Sequence, residues 1–151
     1  MIEKSVYLKT ESILQINIIS KCYVYKMMND MQKRFALFLF GCIGVRSLFV
    51  YIAKSSNVQY LPYLGYLALL PAIGFSYIFL TGTRQTGAEV FGSKIWWNKL
   101  RPIHAILYFL FAFSAIKKIQ YSWIFLLIDV IFGLISFLTY HYVQGDFKLL
   151  H

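Results

Sequence analysis

Charge is scarce in this chain, and acidic charge scarcest. Six Asp and Glu stand against fifteen Lys and Arg in 151 residues, and charged types make up 14% of the whole. A soluble domain carries about 25% charged residues. So few charges cannot cover a water-facing surface, and a chain this short cannot bury the rest, because small domains keep a high surface-to-volume ratio. Cysteine is nearly absent. Cys22 and Cys42 show no C-x-x-C or Cys/His spacing, which excludes a disulfide framework and a zinc finger and leaves two reduced thiols. There is no paired-carboxylate site, no Ser/His/Asp set and no H-E-x-x-H. The first 30 residues lack the charged, apolar and small-residue succession of a signal peptide.

What is present is apolar. Hydrophobic types reach 59% and aromatics 19%, with a mean hydropathy of +0.60. A helix needs about 20 apolar residues to cross a bilayer core of about 30 Å. Four segments qualify or nearly do: 35–53, 61–80, 103–116 and 122–143. Pro62 suits a first helical turn, and Pro71 predicts a kink in the second span. The third is short, starting at Pro102 and ending at Lys117 and Lys118, which can snorkel; it either thins the bilayer or re-enters it. Brief connections make spans one and two, and three and four, antiparallel hairpins. The expected fold is an all-α, four-helix integral membrane bundle over 31–151.

Net charge is +9. In a soluble protein this would suggest nucleic acid, but here the charges lie outside the apolar segments and report topology instead. Lys4, Lys9, Lys21, Lys26, Lys33, Arg34, Arg84, Lys94, Lys99, Arg101 and Lys148 fall on one side, and Lys54, Lys117 and Lys118 on the other. The first side should face the cytoplasm, with both termini. Trp96, Trp97 and Trp123, with Tyr60, Tyr63 and Tyr121, flank the spans as interface anchors. Residues 1–30 read as a cytosolic lead-in helix, or as sequence preceding a true start at Met27, Met28 or Met31.

Arg46 and Asp129 lie inside spans. A charge at mid-bilayer costs at least about 2.5–3.5 kcal/mol, so such residues face the interior and find partners. Arg46 precedes Lys54 by eight residues, and Asp129 follows Tyr121 by eight. At about 1.5 Å per residue both sit about 12 Å below the outer boundary. Equal depth and opposite sign predict an ion pair, to which the guanidinium fork is suited. It either fixes helix register or lines a polar cavity for a proton, ion or lipid headgroup. Stripes at helical spacing agree: Asp129, Gly133, Ser136 and Tyr140; Cys42 and Ala53 with Arg46; Tyr63, Tyr66 and Tyr77; and His104, Tyr108, Ala112 and Ala115. On this reading the tyrosine hydroxyls face inward and complete the polar lining.

The loop 81–101 repeats glycine at Gly82, Gly87 and Gly92. GTRQTGAE carries half of a phosphate loop, but Ala88 and Glu89 stand where Lys and Ser/Thr are needed, and no strand precedes it. A hinge followed by an interfacial helix, 94–100, anchored by Trp96 and Trp97, is expected. Arg84, Lys94, Lys99 and Arg101 are candidate contacts for anionic lipid headgroups or phosphate. His104 and His141 each sit two residues inside the cytoplasmic end of a span. Two facing imidazoles at one depth can ligate haem iron, although Tyr140 and Tyr142 suggest ordinary interface chemistry. No other cofactor is implied.

Across CIGVRSLFVYIAK, YLPYLGYLALLPAIGF and GAEVFGSKIWWNKLRPIHAILY the chain resembles small multi-pass membrane proteins of unknown function encoded by giant DNA viruses of algae and protists. The resemblance covers 31–142. It implies a viral membrane protein of the virion's internal membrane or the host endoplasmic reticulum, and transfers no catalytic residue. Three functions stay open. The first is a structural or interaction component organising a membrane, lipids or partner proteins. The second is an ion or proton channel or transporter using Arg46 and Asp129, assembled as a homo-oligomer. The third is a haem- or lipid-handling enzyme at His104, His141 and Arg101.

Overall fold

The computed structural model describes residues 30–86 and 95–147. The lead-in segment, Cys22, Lys94 and Lys148 lie outside the described residues. The fold is an all-α four-helix arrangement, and four of its helical segments are long and apolar enough to cross a membrane.

The first rod runs without a break through α1 (Asp30–Ala36), a π-helical stretch (Leu37–Gly44) and α2 (Val45–Ser55). The junction residues Ala36, Gly44 and Val45 all hold right-handed helical dihedrals. A π turn closes its hydrogen bond over five residues instead of four, so it rotates the face that follows. That explains one departure from the expected stripes. Cys42, four residues before Arg46, is exposed, and no residue of the π stretch is buried, while Val50 and Ala53 of α2 are.

α3 (Leu61–Thr81) begins with Pro62 in its first turn, runs through Pro71, and ends at Gly82, whose φ of 62° closes the helix in the left-handed region. Its inner face is Leu61, Gly65, Ala68 and Ala72. The expected inner tyrosines face the other way: Tyr63, Tyr66 and Tyr77 are exposed. Small side chains win the inner face because they let two backbones approach, and in lipid it is close packing that drives helices together. A Cβ added at Gly65 would lie 2.9 Å from the Ala112 carbonyl oxygen.

The expected interfacial helix is instead a five-residue 3₁₀ turn, Trp96–Leu100, continuous with α4 (Arg101–Ile116). Together they make a 21-residue span, which removes the apparent shortness of span three. His104, Tyr108, Ala112 and Ala115 are all buried on one face of α4. A second 3₁₀ turn, Gln120–Ser122, leads into α5 (Trp123–Gln144), which Gly145 closes at φ 74°. The α4–α5 turn is a Schellman motif: Ile119 N–H donates to the Ser114 carbonyl and Lys118 N–H to that of Ala115. Lys118 occupies the left-handed position at φ 60°, where glycine is favoured.

α3 packs most extensively on α4, α4 on α5, and α5 on α2. The spatial order is therefore α3, α4, α5, α2. Spans one and two, joined by a short loop and expected as an antiparallel hairpin, share little backbone contact. Two ends result: a hairpin end, with the α2–α3 and α4–α5 turns, and a terminal end, where α1 begins and α5 stops. The core toward the hairpin end contains Leu61, Phe111 and Leu126.

A buried charge centre on three helices

Asp129 is completely buried on α5. The structure brings to it one side chain from each of two other helices. Arg46 Nη1, from α2, donates to Oδ2 at 3.0 Å. His104 Nδ1, from α4, lies 2.5 Å from Oδ1 and 3.1 Å from Arg46 Nη1. The guanidinium has no acceptor, and a bare Nδ1 facing an ionised carboxylate oxygen would set lone pair against lone pair. Nδ1 therefore carries the proton and donates to Asp129. Two donors converge on one carboxylate, and the arginine–histidine approach is a consequence of that convergence. With a neutral imidazole the three side chains sum to zero charge.

Gly133 sits one turn beyond Asp129, and a Cβ there would be 3.5 Å from His104 Cε1 and 3.6 Å from Arg46 Nη1. Phe75 of α3 completes the ring of four helices, with Arg46 Cζ 5.4 Å from its centroid and His104 at 5.9 Å. Toward the terminal end Phe38 and Phe137 stack at 3.8 Å with planes 5° apart. Toward the hairpin end Phe49 packs edge-on against Phe111 at 5.6 Å.

The other sites expected from sequence fall elsewhere. His141 does not face His104. Its Nδ1 pairs with Asp146 Oδ2 at 2.6 Å, in a nest formed by Phe35 and Phe137 at 4.8 and 4.3 Å. Twelve residues of α5 separate it from Asp129, about 18 Å of helix. The two imidazoles are not placed to share an iron. Arg101 is turned inward, 4% exposed, and its Nη1 donates to Asn98 Oδ1 at 2.6 Å and the Arg84 carbonyl at 3.2 Å. It ties the loop to the start of α4 and does not project toward headgroups. Arg84 and Lys99 are exposed. Trp96 stacks on Tyr140 at 4.2 Å and meets Trp97 edge-on at 5.5 Å, holding the 3₁₀ turn to α5. Trp123 lies under Lys54 Nζ at 5.0 Å.

His104 is the member of the centre that depth arithmetic from the sequence misses. Counting from Pro102 assigns it to the terminal end. Counting from Ile116, twelve residues away, puts it about 18 Å from the hairpin end, within side-chain reach of Asp129. No protein-family model, curated protein or solved structure matches this chain.

Proposed function

We propose that the chain is a structural or interaction component of a membrane, a compact four-span scaffold whose polar centre locks helices that lipid alone would not hold. One observation carries this reading: Arg46, Asp129 and His104 come from three different helices and are spent on each other. An aromatic stack, Phe38 on Phe137 at 3.8 Å, lies on the terminal side of this centre. In the expected orientation the terminal end is cytoplasmic. It presents Arg84 and Lys99, whose charges suit anionic headgroups or an acidic partner. The virion's internal membrane or the host endoplasmic reticulum, as the resemblance implies, is its proposed setting.

The test is a double-mutant cycle on thermal or denaturant stability in detergent, with Arg46→Gln, Asp129→Asn and both together. Breaking one side of a buried pair costs about 3–5 kcal/mol, because the other charge is stranded. The double variant is expected to regain at least half of that loss. A neutral Asp129→Asn, or a double variant as unstable as the sum of the singles, refutes the lock. Flux through liposomes above that of empty vesicles would establish the transport reading instead.

A further inference from the structure

The hairpin end holds polar groups that the lock does not use. Ser122 stands at the N-cap position of α5, where a serine hydroxyl ordinarily accepts from an opening helix amide, yet it makes no capping bond. It is 1% exposed, and its Oγ is a buried atom without a hydrogen-bond partner. Such an atom in a folded protein marks strain, a functional role, or an ion or water that completes it. The helix it opens is long: with the Gln120–Ser122 turn it runs 25 residues to Gln144. The first amides of a helix have no acceptor within it. Here Gln120 and Tyr121 come first and are exposed, and the first turn of α5 carries no acidic residue. Lys54 points to the same place. The C-terminus of α2 suits a positive charge, but Nζ is carried across to α5, 5.0 Å from the Trp123 ring. That is the positive end of the α5 dipole, where a cation is disfavoured. The described acids are Asp30, Asp129 and Asp146, and none of them lies at the hairpin end.

We propose that the start of α5 is a binding site for a phosphate group, held by the amides of Gln120 and Tyr121, by Lys54 Nζ and by the Ser122 hydroxyl, which donates to it. A helix N-terminus is a ready anion site, because its amides and its dipole both favour negative charge. The anion also removes the conflict between Lys54 and the dipole, since it stands between two positive partners. Three kinds of donor suit a group with several acceptor oxygens better than they suit a carboxylate with two. Tyr121 and Trp123 are interface anchors, so the site lies at the level where lipid phosphates are found. A lipid headgroup and free phosphate present the same oxygens, and either can fill it. Lys117 adds positive charge at this end but belongs to α4, its Nζ 4.2 Å from the Phe113 ring.

The experiment titrates the full chain in an uncharged detergent with dioleoyl phosphatidic acid. Parallel titrations use dioleoylglycerol, which has the same chains and no phosphate, and inorganic phosphate. Native mass spectrometry counts bound lipid, and ¹⁵N NMR follows the amides of Gln120 and Tyr121. The expected result is saturable binding of phosphatidic acid that shifts both amides, with dioleoylglycerol held about tenfold more weakly or less. Lys54→Gln and Ser122→Ala are each expected to weaken binding about tenfold, the loss of one hydrogen bond to a charged group. Lys117→Gln is expected to stay within about twofold of wild type. Ser122→Ala removes an unpaired buried hydroxyl, so the bundle tolerates it. Amide shifts with phosphatidic acid alone identify the ligand as a headgroup, and shifts with inorganic phosphate as well identify it as phosphate from either source. No shift with either overturns the site, and so does equal retention of dioleoylglycerol. A Lys117→Gln loss as large as that of Lys54→Gln reveals diffuse charge attraction and overturns it too, as does wild-type affinity in Ser122→Ala. Arg46 and Asp129 take no part here, so the stability cycle on the lock and this titration fail independently.

Discussion

Replacing Gly65 with alanine adds one methyl group at the tightest point of the bundle. Its Cβ would lie 2.9 Å from the Ala112 carbonyl oxygen, 3.0 Å from Ile116 Cγ1 and 3.2 Å from Ala115 Cβ. Carbon–oxygen contacts begin at about 3.3 Å, so α3 and α4 must part by roughly 0.4 Å. The Ile116 side chain can turn aside, but the Ala112 carbonyl is backbone and cannot. A radial gap near 0.5 Å forfeits about a quarter of the dispersion well for every atom pair along the seam, and overpacked sites typically lose about 1–3 kcal/mol. Alanine's helical preference over glycine returns about 0.8–1 kcal/mol, leaving a net loss of about 0–2 kcal/mol. Gly133→Ala is the control. Its new Cβ meets nothing closer than 3.5 Å, so it should be neutral or gain up to about 1 kcal/mol. Gly74→Ala, with nothing within 4 Å, should behave likewise. Reversible unfolding in mixed detergent measures all three. If Gly65→Ala matches Gly133→Ala, close α3–α4 packing is not what stabilises the bundle.

Two further outcomes are expected. Lys118→Gly should stabilise by about 1 kcal/mol in the same assay, since an L-residue in the left-handed region costs roughly 1–2 kcal/mol; the φ of 60° at Lys118 is the reason, and an unchanged midpoint counts against it. Asp146→Asn should cost about 1 kcal/mol or more through loss of the charge-assisted bond to His141, with faster amide exchange in the last turn of α5, whereas unaltered protection there would show that the Phe35 and Phe137 contacts suffice to hold it.

Hydropathy makes the four spans legible, and equal depth makes the Arg46–Asp129 encounter legible, because both charges were measured from the same boundary. The inner face of α4 follows from helical spacing for the same reason: α4 is regular over its whole length. Four features escape. The π stretch Leu37–Gly44 breaks the assumed period, so Cys42 leaves Arg46's stripe. The tyrosines of α3 share a stripe, but sharing a stripe does not say which side faces inward, and the small residues Gly65, Ala68 and Ala72 take the interior. His104 was measured from the nearer end of its helix. The 3₁₀ turn Trp96–Leu100 carries span three back to Trp96, eight residues before His104, so a position near the start of α4 lies well inside the span. The splayed first hairpin escapes as well, because a short loop limits the distance between helix ends and says little about contact along their lengths.

The two ends of the ion pair are 83 residues apart in the chain, and the order of synthesis gives that separation a cost in time. A ribosome adding about 5–20 residues per second needs roughly 4–17 s to pass from Arg46 to Asp129. Throughout that interval the first span has been delivered with its arginine and the carboxylate does not yet exist. An unpartnered arginine at that depth costs about 2.5–3.5 kcal/mol or more, enough to hold the segment at the protein-conducting channel instead of releasing it to lipid. A nascent chain stopped after Ile116 is in the same position permanently. The last span to be made is thus the one that permits the first to leave.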